Sequence, residues 1–412
     1  MTPDTGQVTR RHVIFLSGFD PKGASYYHAL YRAEALKQAP VNGMATQVGL
    51  RQRTVDGNST WAVSASWPDG SRCETTLEFV RWDDIVRRHW PRTLWHQLKD
   101  IGVACTVALR GYAVVPVWKM SRRTLAALAF PVVFLGGGLA LSLGIGAVVA
   151  RLLYEGAYVG TLTGLKGSGG VVAAAGGLLA LGLGLWCTRL LEARFNPTWL
   201  MNIFSFMAKR VRGQVPELET RLDETAEKLV TKIRANDVDE ILVVGFSVGS
   251  ILAVSIVARA LQALKDPERD GQTGSGRPTL SLLTLGHCIP ILGLHPQALV
   301  FRQELKRLAL AQALRWIDFS SVTDWGSFAL IDPVKICKVL PESPGESAMQ
   351  ANPLMRSPRF HTLFAPSSYV QLRRSKRRLH LQYLMATELT GEYDYFVITA
   401  GPLTLGARYA DR

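Results

Sequence analysis

The residues best suited to chemistry are Gly245-Phe246-Ser247-Val248-Gly249, a G-x-S-x-G between an unbroken apolar run and a helical stretch. A serine on a sharp strand-to-helix turn has its hydroxyl presented at the carboxyl end of a sheet, and flanking glycines spare the turn from side-chain clashes. The helix that begins there offers backbone N–H groups, that of Val248 first, to a developing oxyanion. The chemistry expected of such a serine is nucleophilic attack on an acyl carbonyl, which needs an acid and then a histidine later in the chain.

Both are available. Asp324, in SSVTDWGSF, lies on the loop after the strand expected at Trp316 to Phe319, where the acid of a triad belongs. Asp332 in ALIDPV competes with it, and Asp318 lies within the strand itself; each also suits an ordinary turn or helix cap. For the base, His380 is favoured because it follows the last expected strand and opens a short apolar helix with Tyr383, whereas His361 falls inside that strand. His287, His295 and His96 come too early or sit elsewhere. A second oxyanion donor is expected from Gly18 and Phe19, in the loop after the first strand, HVIFLS.

These residues are positioned by alternating strands and helices. His12 to Ser17 predicts a buried strand, Tyr26 to Gln38 a helix, and residues 45–82 three antiparallel strands separated by the turns Asp56-Gly57 and Asp69-Gly70. Pro216 to Arg234 has acids early, bases late and one apolar face, a pattern that predicts an amphipathic helix. Glu240 to Phe246 is a strand covered on both sides, followed by a helix from Val248 to about Leu264, a strand at Leu280 to Leu285 and a helix at Gln297 to Leu314. Such alternation predicts a doubly wound, mainly parallel α/β sheet. The early strand with Gly-Phe, the GFSVGS turn, TLSLLTLGHCIPI and the late acid and histidine resemble the α/β-hydrolase superfamily, in particular lipase- and esterase-like members, over residues 12–38 and about 237–400. The resemblance implies a serine ester hydrolase with catalytic Ser247, Asp324 and His380, and an oxyanion hole of Gly18, Phe19 and Val248. The chain departs from the family in a long interval between oxyanion loop and nucleophile, and in having no strands ahead of that loop, so the expected sheet is incomplete or reordered.

The interval carries a different composition. Leu125 to Ala150 and Gly167 to Thr188 contain no charged residue, each long enough to span a bilayer, and small residues recur every fourth position at Gly138, Ser142 and Gly146 and at Gly176, Ala180 and Gly184. A two-helix transmembrane hairpin is expected at about 125–150 and 167–188. It divides the chain into an amino-terminal part of the hydrolase domain with the antiparallel elaboration (1–82), a membrane-associated insertion (83–212) and a carboxy-terminal part with the nucleophile (213–412). Basic residues flank the hairpin, with Lys119, Arg122 and Arg123 before it and Arg189 and Arg194 after it. The hydrolase domain is therefore expected on the cytoplasmic side of an inner membrane of bacterial type. The amino terminus has no signal-peptide pattern, so export by that route is not expected. Upstream, Trp82, Trp90, Trp95, Tyr112 and Trp118 alternate with Arg87, Arg88, Arg92 and Arg110, a mixture suited either to the headgroup level or to an ordinary packed helix.

The whole chain has 47 Lys plus Arg against 33 Asp plus Glu, a net charge of +14, and a mean hydropathy of +0.11. This balance excludes a disordered chain and suits an anionic membrane, while no nucleic-acid-binding module is recognisable. Five scattered cysteines form no disulfide framework or metal motif and read as buried thiols. Walker A, dinucleotide-binding and zinc-protease patterns are absent from the sequence, so no cofactor or metal is implied. The expected partners are the lipid bilayer and an acyl-ester substrate. The rival expectation is a catalytically inactive scaffold with the same fold.

Overall fold

A computed structural model of the chain describes residues 6–90, 197–264, 277–340 and 350–410, with scattered positions between 102 and 190. The chain divides into two compact units, one made of Met1–Trp90 and Phe206–Arg412, the other of Pro91–Ser205. The first unit contains the sheet and every candidate catalytic residue.

Its strands are β1 (Arg10–Leu16), β2 (Ala45–Val48), β3 (Gln52–Arg53), β4 (Ser59–Ser66), β5 (Arg72–Phe79), β6 (Glu240–Phe246), β7 (Thr279–Leu285), β8 (Leu314–Phe319) and β9 (Leu354–Arg356). They form one sheet in the order β2-β4-β5-β1-β6-β7-β8-β9, with β3 paired to β4. From β5 across to β9 every pairing is parallel; β2, β3 and β4 join antiparallel at the other edge. The architecture is α/β with a mostly parallel, mixed sheet.

The helices are α1 (Ala24–Asn42), α2 (Asp83–His89), α3 (Pro197–Val211), α4 (Pro216–Ala235), α5 (Gly249–Leu264), α6 (Ile289–Gly293), α7 (Leu299–Ala309), α8 (Pro333–Ile336), α9 (Pro366–Arg374), α10 (Lys376–Leu381), α11 (Tyr395–Ala400) and α12 (Leu405–Arg408). α4 forms as its pattern predicts: Pro216 occupies the first turn, acids precede bases, and Leu218, Leu222, Leu229, Val230 and Ile233 are buried. The run EILVVGF of β6 is buried at all seven positions. Full burial of each aliphatic side chain there is worth about 1.5–3 kcal/mol, which makes this strand the centre of the core.

Several expectations are corrected. The antiparallel stretch is four strands, not three, and it is no appendage: β5 pairs parallel with β1 in the register Val13 to Leu77 and so extends the main sheet. The places beyond β1 at this edge are thus filled by later strands. The helix expected over 297–314 stops at Ala309, because Leu314 already belongs to β8. His361 is not in a strand: β9 ends at Arg356, Pro358 has no N–H to continue a ladder, Arg359 adopts φ 48°, and a 3-10 turn follows at Phe360–Thr362. Trp82 is core, 1% exposed, with its indole N–H donating to the Ser17 carbonyl at 3.1 Å, so it does not lie at a headgroup level. Among the described residues no helix is long and apolar enough to cross a membrane. The hairpin expected at 125–150 and 167–188, like Trp95, Tyr112 and Trp118, falls for the most part outside the described residues.

Candidate active site

β6 delivers Phe246 to the carboxyl edge of the sheet, and the chain turns at Ser247, whose φ is +55°. A serine is rarely held in this left-handed region, and such strain persists where surrounding contacts enforce it. Here the Ser247 N–H donates to Leu285 O on β7 at 2.8 Å, and Ser250 N donates to Ser247 O at 3.1 Å. The glycines of the motif are required by space. A Cβ at Gly249 would lie 2.2 Å from the Leu16 carbonyl oxygen, and one at Gly245 would lie 2.6 Å from the Ser250 Cα. The start of α5 therefore sits directly against the end of β1, and only glycine allows that approach.

His380, near the end of α10, places Nε2 3.0 Å from Ser247 Oγ. Its Nδ1 lies 2.8 Å from Asp324 Oδ2. A carboxylate only accepts, so the tautomer that satisfies both contacts carries its proton on Nδ1 and leaves Nε2 to accept from the serine. Asp324 has a fully buried side chain. Oδ2 also accepts from the Tyr383 hydroxyl at 3.1 Å, and Oδ1 accepts from Gly326 N at 3.0 Å. Tyr383 is fixed in turn by Ser321 N, which donates to its oxygen at 2.8 Å. Burial, and then the Asp324 charge, push the Tyr383 phenol well above its ordinary value, so it stays protonated and donates. The imidazole rests against the Phe246 ring at 5.1 Å between centroids.

The loop after β1 runs beside Ser247. A Cβ at Gly18 would be 3.1 Å from the Ser247 Cβ. The next residue, Phe19, is buried, its ring stacked on Trp90 at 5.7 Å and tilted against Phe206 at 5.1 Å. Gly18 thus lies beside the hydroxyl, a Cβ there being 3.5 Å from Ser247 Oγ, and Val248 follows Ser247 directly in the chain.

The competing candidates are elsewhere. Asp332 caps α8, accepting from Val334 N at 2.8 Å and Lys335 N at 3.3 Å. Asp318 is held inside the sheet by the hydroxyls of Thr284 and Ser320, each at 2.7 Å, and burial pushes its carboxyl up. His361 is exposed beside Tyr369. His287 approaches the Ile331 carbonyl at 3.1 Å, and His295 accepts from Gln297 N. His96 lies outside the described residues.

Sequence reasoning missed Cys288. Its Sγ lies 3.7 Å from Ser247 Oγ and 3.4 Å from the Gly326 carbonyl oxygen, and burial pushes the thiol up to about 12, so it is neutral at any physiological pH. Its position just past β7, next to the strand that carries Ser247, was the one available signal. Cys73, Cys288 and Cys337 are buried free thiols; Cys105 and Cys187 lie outside the described residues. Among the described residues no group of three or more His, Cys, Asp and Glu could hold a metal ion. Compared with protein-family models, curated proteins and solved structures, the chain matches none.

Proposed function

We propose that this protein is a serine ester hydrolase of α/β-hydrolase type, cleaving an acyl ester through Ser247, His380 and Asp324. The observation that carries the reading is the continuous contact from Ser247 Oγ through both imidazole nitrogens to a buried carboxylate, at 3.0 and 2.8 Å, on a serine held at positive φ. Ser247 Oγ attacks the carbonyl carbon as His380 Nε2 takes its proton. Asp324 holds the tautomer and stabilises the imidazolium, and the Phe19 and Val248 N–H groups receive the oxyanion. The protonated His380 then gives its proton to the leaving alcohol, and water hydrolyses the acyl-enzyme to a carboxylic acid by the same relay. No cofactor takes part in these steps.

The charge-free segments at 125–150 and 167–188, flanked by basic residues, support a membrane tether with the hydrolase unit on the cytoplasmic side, and a lipid-like ester as the substrate within reach. A second reading is favoured by one observation, that Ser247 is only 1% exposed: a scaffold in which substrate never reaches the serine. A fluorophosphonate probe separates the two. The proposal expects labelling of the full-length, detergent-solubilised protein that disappears in Ser247→Ala and in His380→Ala. Folded wild-type protein that stays unlabelled would leave the scaffold as the better account.

A further inference from the structure

Five cations occupy positions 373–378 immediately before His380: Arg373, Arg374, Lys376, Arg377 and Arg378, all exposed. The local fold holds them together. α9 ends at Arg374, and Ser375 both closes that helix, donating its N–H to Leu372 O at 3.1 Å, and caps α10 by accepting from Arg378 N at 3.4 Å. Buried Leu372 and Leu379 anchor the two sides of this corner, which turns the basic side chains outward.

The corner is continuous with the candidate active site. On α10, Lys376 and Arg377 precede His380 by four and three residues, so they share its helical face. The Lys376 ammonium lies 5.1 Å over the Trp325 ring, and Trp325 stands between Asp324 and Gly326. A Cβ on Gly326 would be 3.0 Å from His380 Nδ1, so this loop packs on the imidazole. The His380 side chain is 13% exposed and thus reaches the surface at the corner.

Among the more buried cations of the molecule, Arg259 pairs with Glu219, Asp223 and Glu304, Arg11 with Glu240, and Arg210 with Glu219. At the corner, among the described residues, Arg373, Arg374, Arg377 and Arg378 form no ion pair with a carboxylate. Like charges at this density repel, and an anion brought among them relieves the repulsion. Guanidinium groups are suited to a phosphate because their planar donors meet its oxygens two at a time.

We propose that the α9–α10 corner is a subsite for a phosphate carried by the acyl-ester substrate, bound while the ester carbonyl lies at Ser247; this rests on the hydrolase reading above. The test compares monomeric dihexanoyl phosphatidic acid with dihexanoylglycerol, which has the same acyl esters and no phosphate. It uses full-length wild type, the fourfold variant R373A/R374A/R377A/R378A, and Ser247→Ala with and without those four substitutions. Wild type is expected to favour the phosphatidate in kcat/KM by about tenfold or more, an advantage the fourfold variant loses through KM while its rate on dihexanoylglycerol is kept. Calorimetric binding of the phosphatidate to Ser247→Ala protein is expected to vanish with the four arginines. Cleavage of phosphatidate held in phosphatidylcholine vesicles, to which the proposed tether brings every variant alike, identifies the source. Arginine-dependent cleavage in the vesicle assigns the phosphate to a bilayer lipid, and arginine dependence with the monomer alone assigns it to a soluble phosphate-bearing ester. If neither substrate is cleaved but binding still depends on the arginines, the subsite stands and the hydrolase reading falls. Equal losses on both substrates, or binding of the monomer indifferent to the arginines, would overturn the subsite.

Discussion

The two halves of the sheet are built from different physics. In β4 and β5, burial alternates: Trp61, Val63 and Ala65 point inward while Thr60, Ala62 and Ser64 do not, and across the pair Cys73, Thr75, Leu77 and Phe79 face the core. In β6 and β7 nearly every position is buried, because helices cover both faces. The candidate chemistry lies on the parallel side. Gly18, Ser247, Cys288 and Asp324 all follow the carboxyl ends of β1, β6, β7 and β8, which point the same way. Parallel strands bring successive loops to one edge, whereas antiparallel strands send them alternately to opposite edges. The comparison teaches that β2 to β5 supply stability and width, and that β1 and β6 to β8 assemble the site.

The sharpest way to break this division is at Ser247. On the proposed mechanism, Ser247→Ala and His380→Ala are expected to lower ester turnover by about 10⁴-fold or more with the melting temperature little changed, and Asp324→Asn to come close to them through the wrong imidazole tautomer. Steady-state rates beside thermal melts check this; substantial turnover in Ser247→Ala would break the comparison outright. Next in size, Trp61→Ala in β4 should cost about 3–5 kcal/mol of stability, measured by denaturant unfolding, while fluorophosphonate labelling per folded molecule is retained. Labelling lost in folded Trp61→Ala protein would mean that the antiparallel half shapes the site after all.

Gly249→Ala should combine both effects. Its Cβ has no room against Leu16 O, so a loss of about 1–3 kcal/mol is expected together with slower labelling, since α5 must shift and carry Ser247 with it. A variant as stable and reactive as wild type would show that the contact between β1 and α5 is not a constraint.

The smallest effect concerns acid. Burial opposes the Glu78 charge in β5, but hydrogen bonds from His12 and Asn58 prevail and hold its carboxyl below the usual 4.5. Its stabilisation is therefore present above that value and lost as pH falls through the lower, folded value. Asp318 in β8 has the opposite sign: burial raises it above 3.8, so the folded state binds the proton more tightly and gains stability on acidification through that window. Unfolding free energies measured against pH should fall less steeply with acid in Glu78→Gln and more steeply in Asp318→Asn than in wild type. The same slope in both variants would refute the assignment.

Much of the site was legible because its parts are local. The apolar run of β6, the two glycines and the serine between them occupy adjacent positions, and each demand, whether burial, close approach or a turn, acts within a few residues. The loop glycine after β1 and the helix α4 were legible for the same reason. Less legible were the antiparallel strands, whose alternation revealed that they exist but not that β5 lies beside β1. Trp82 was ambiguous because an aromatic among arginines suits an interface and a core equally; contact with Ser17 and Phe19 placed it in the core.

The sequence by itself determined that this chain builds a central buried strand ending in a glycine-flanked serine, with helices to follow, since periodicity and backbone sterics are short-range. Tertiary structure decided which of three aspartates and which of the late histidines meet that serine. Asp324 and His380 are 56 residues apart, and His380 and Ser247 are 133 apart. Their approach depends on strand order and register, and on Tyr383, Gly326 and Cys288 filling the space between, all set by packing of the whole core rather than by any neighbouring residue.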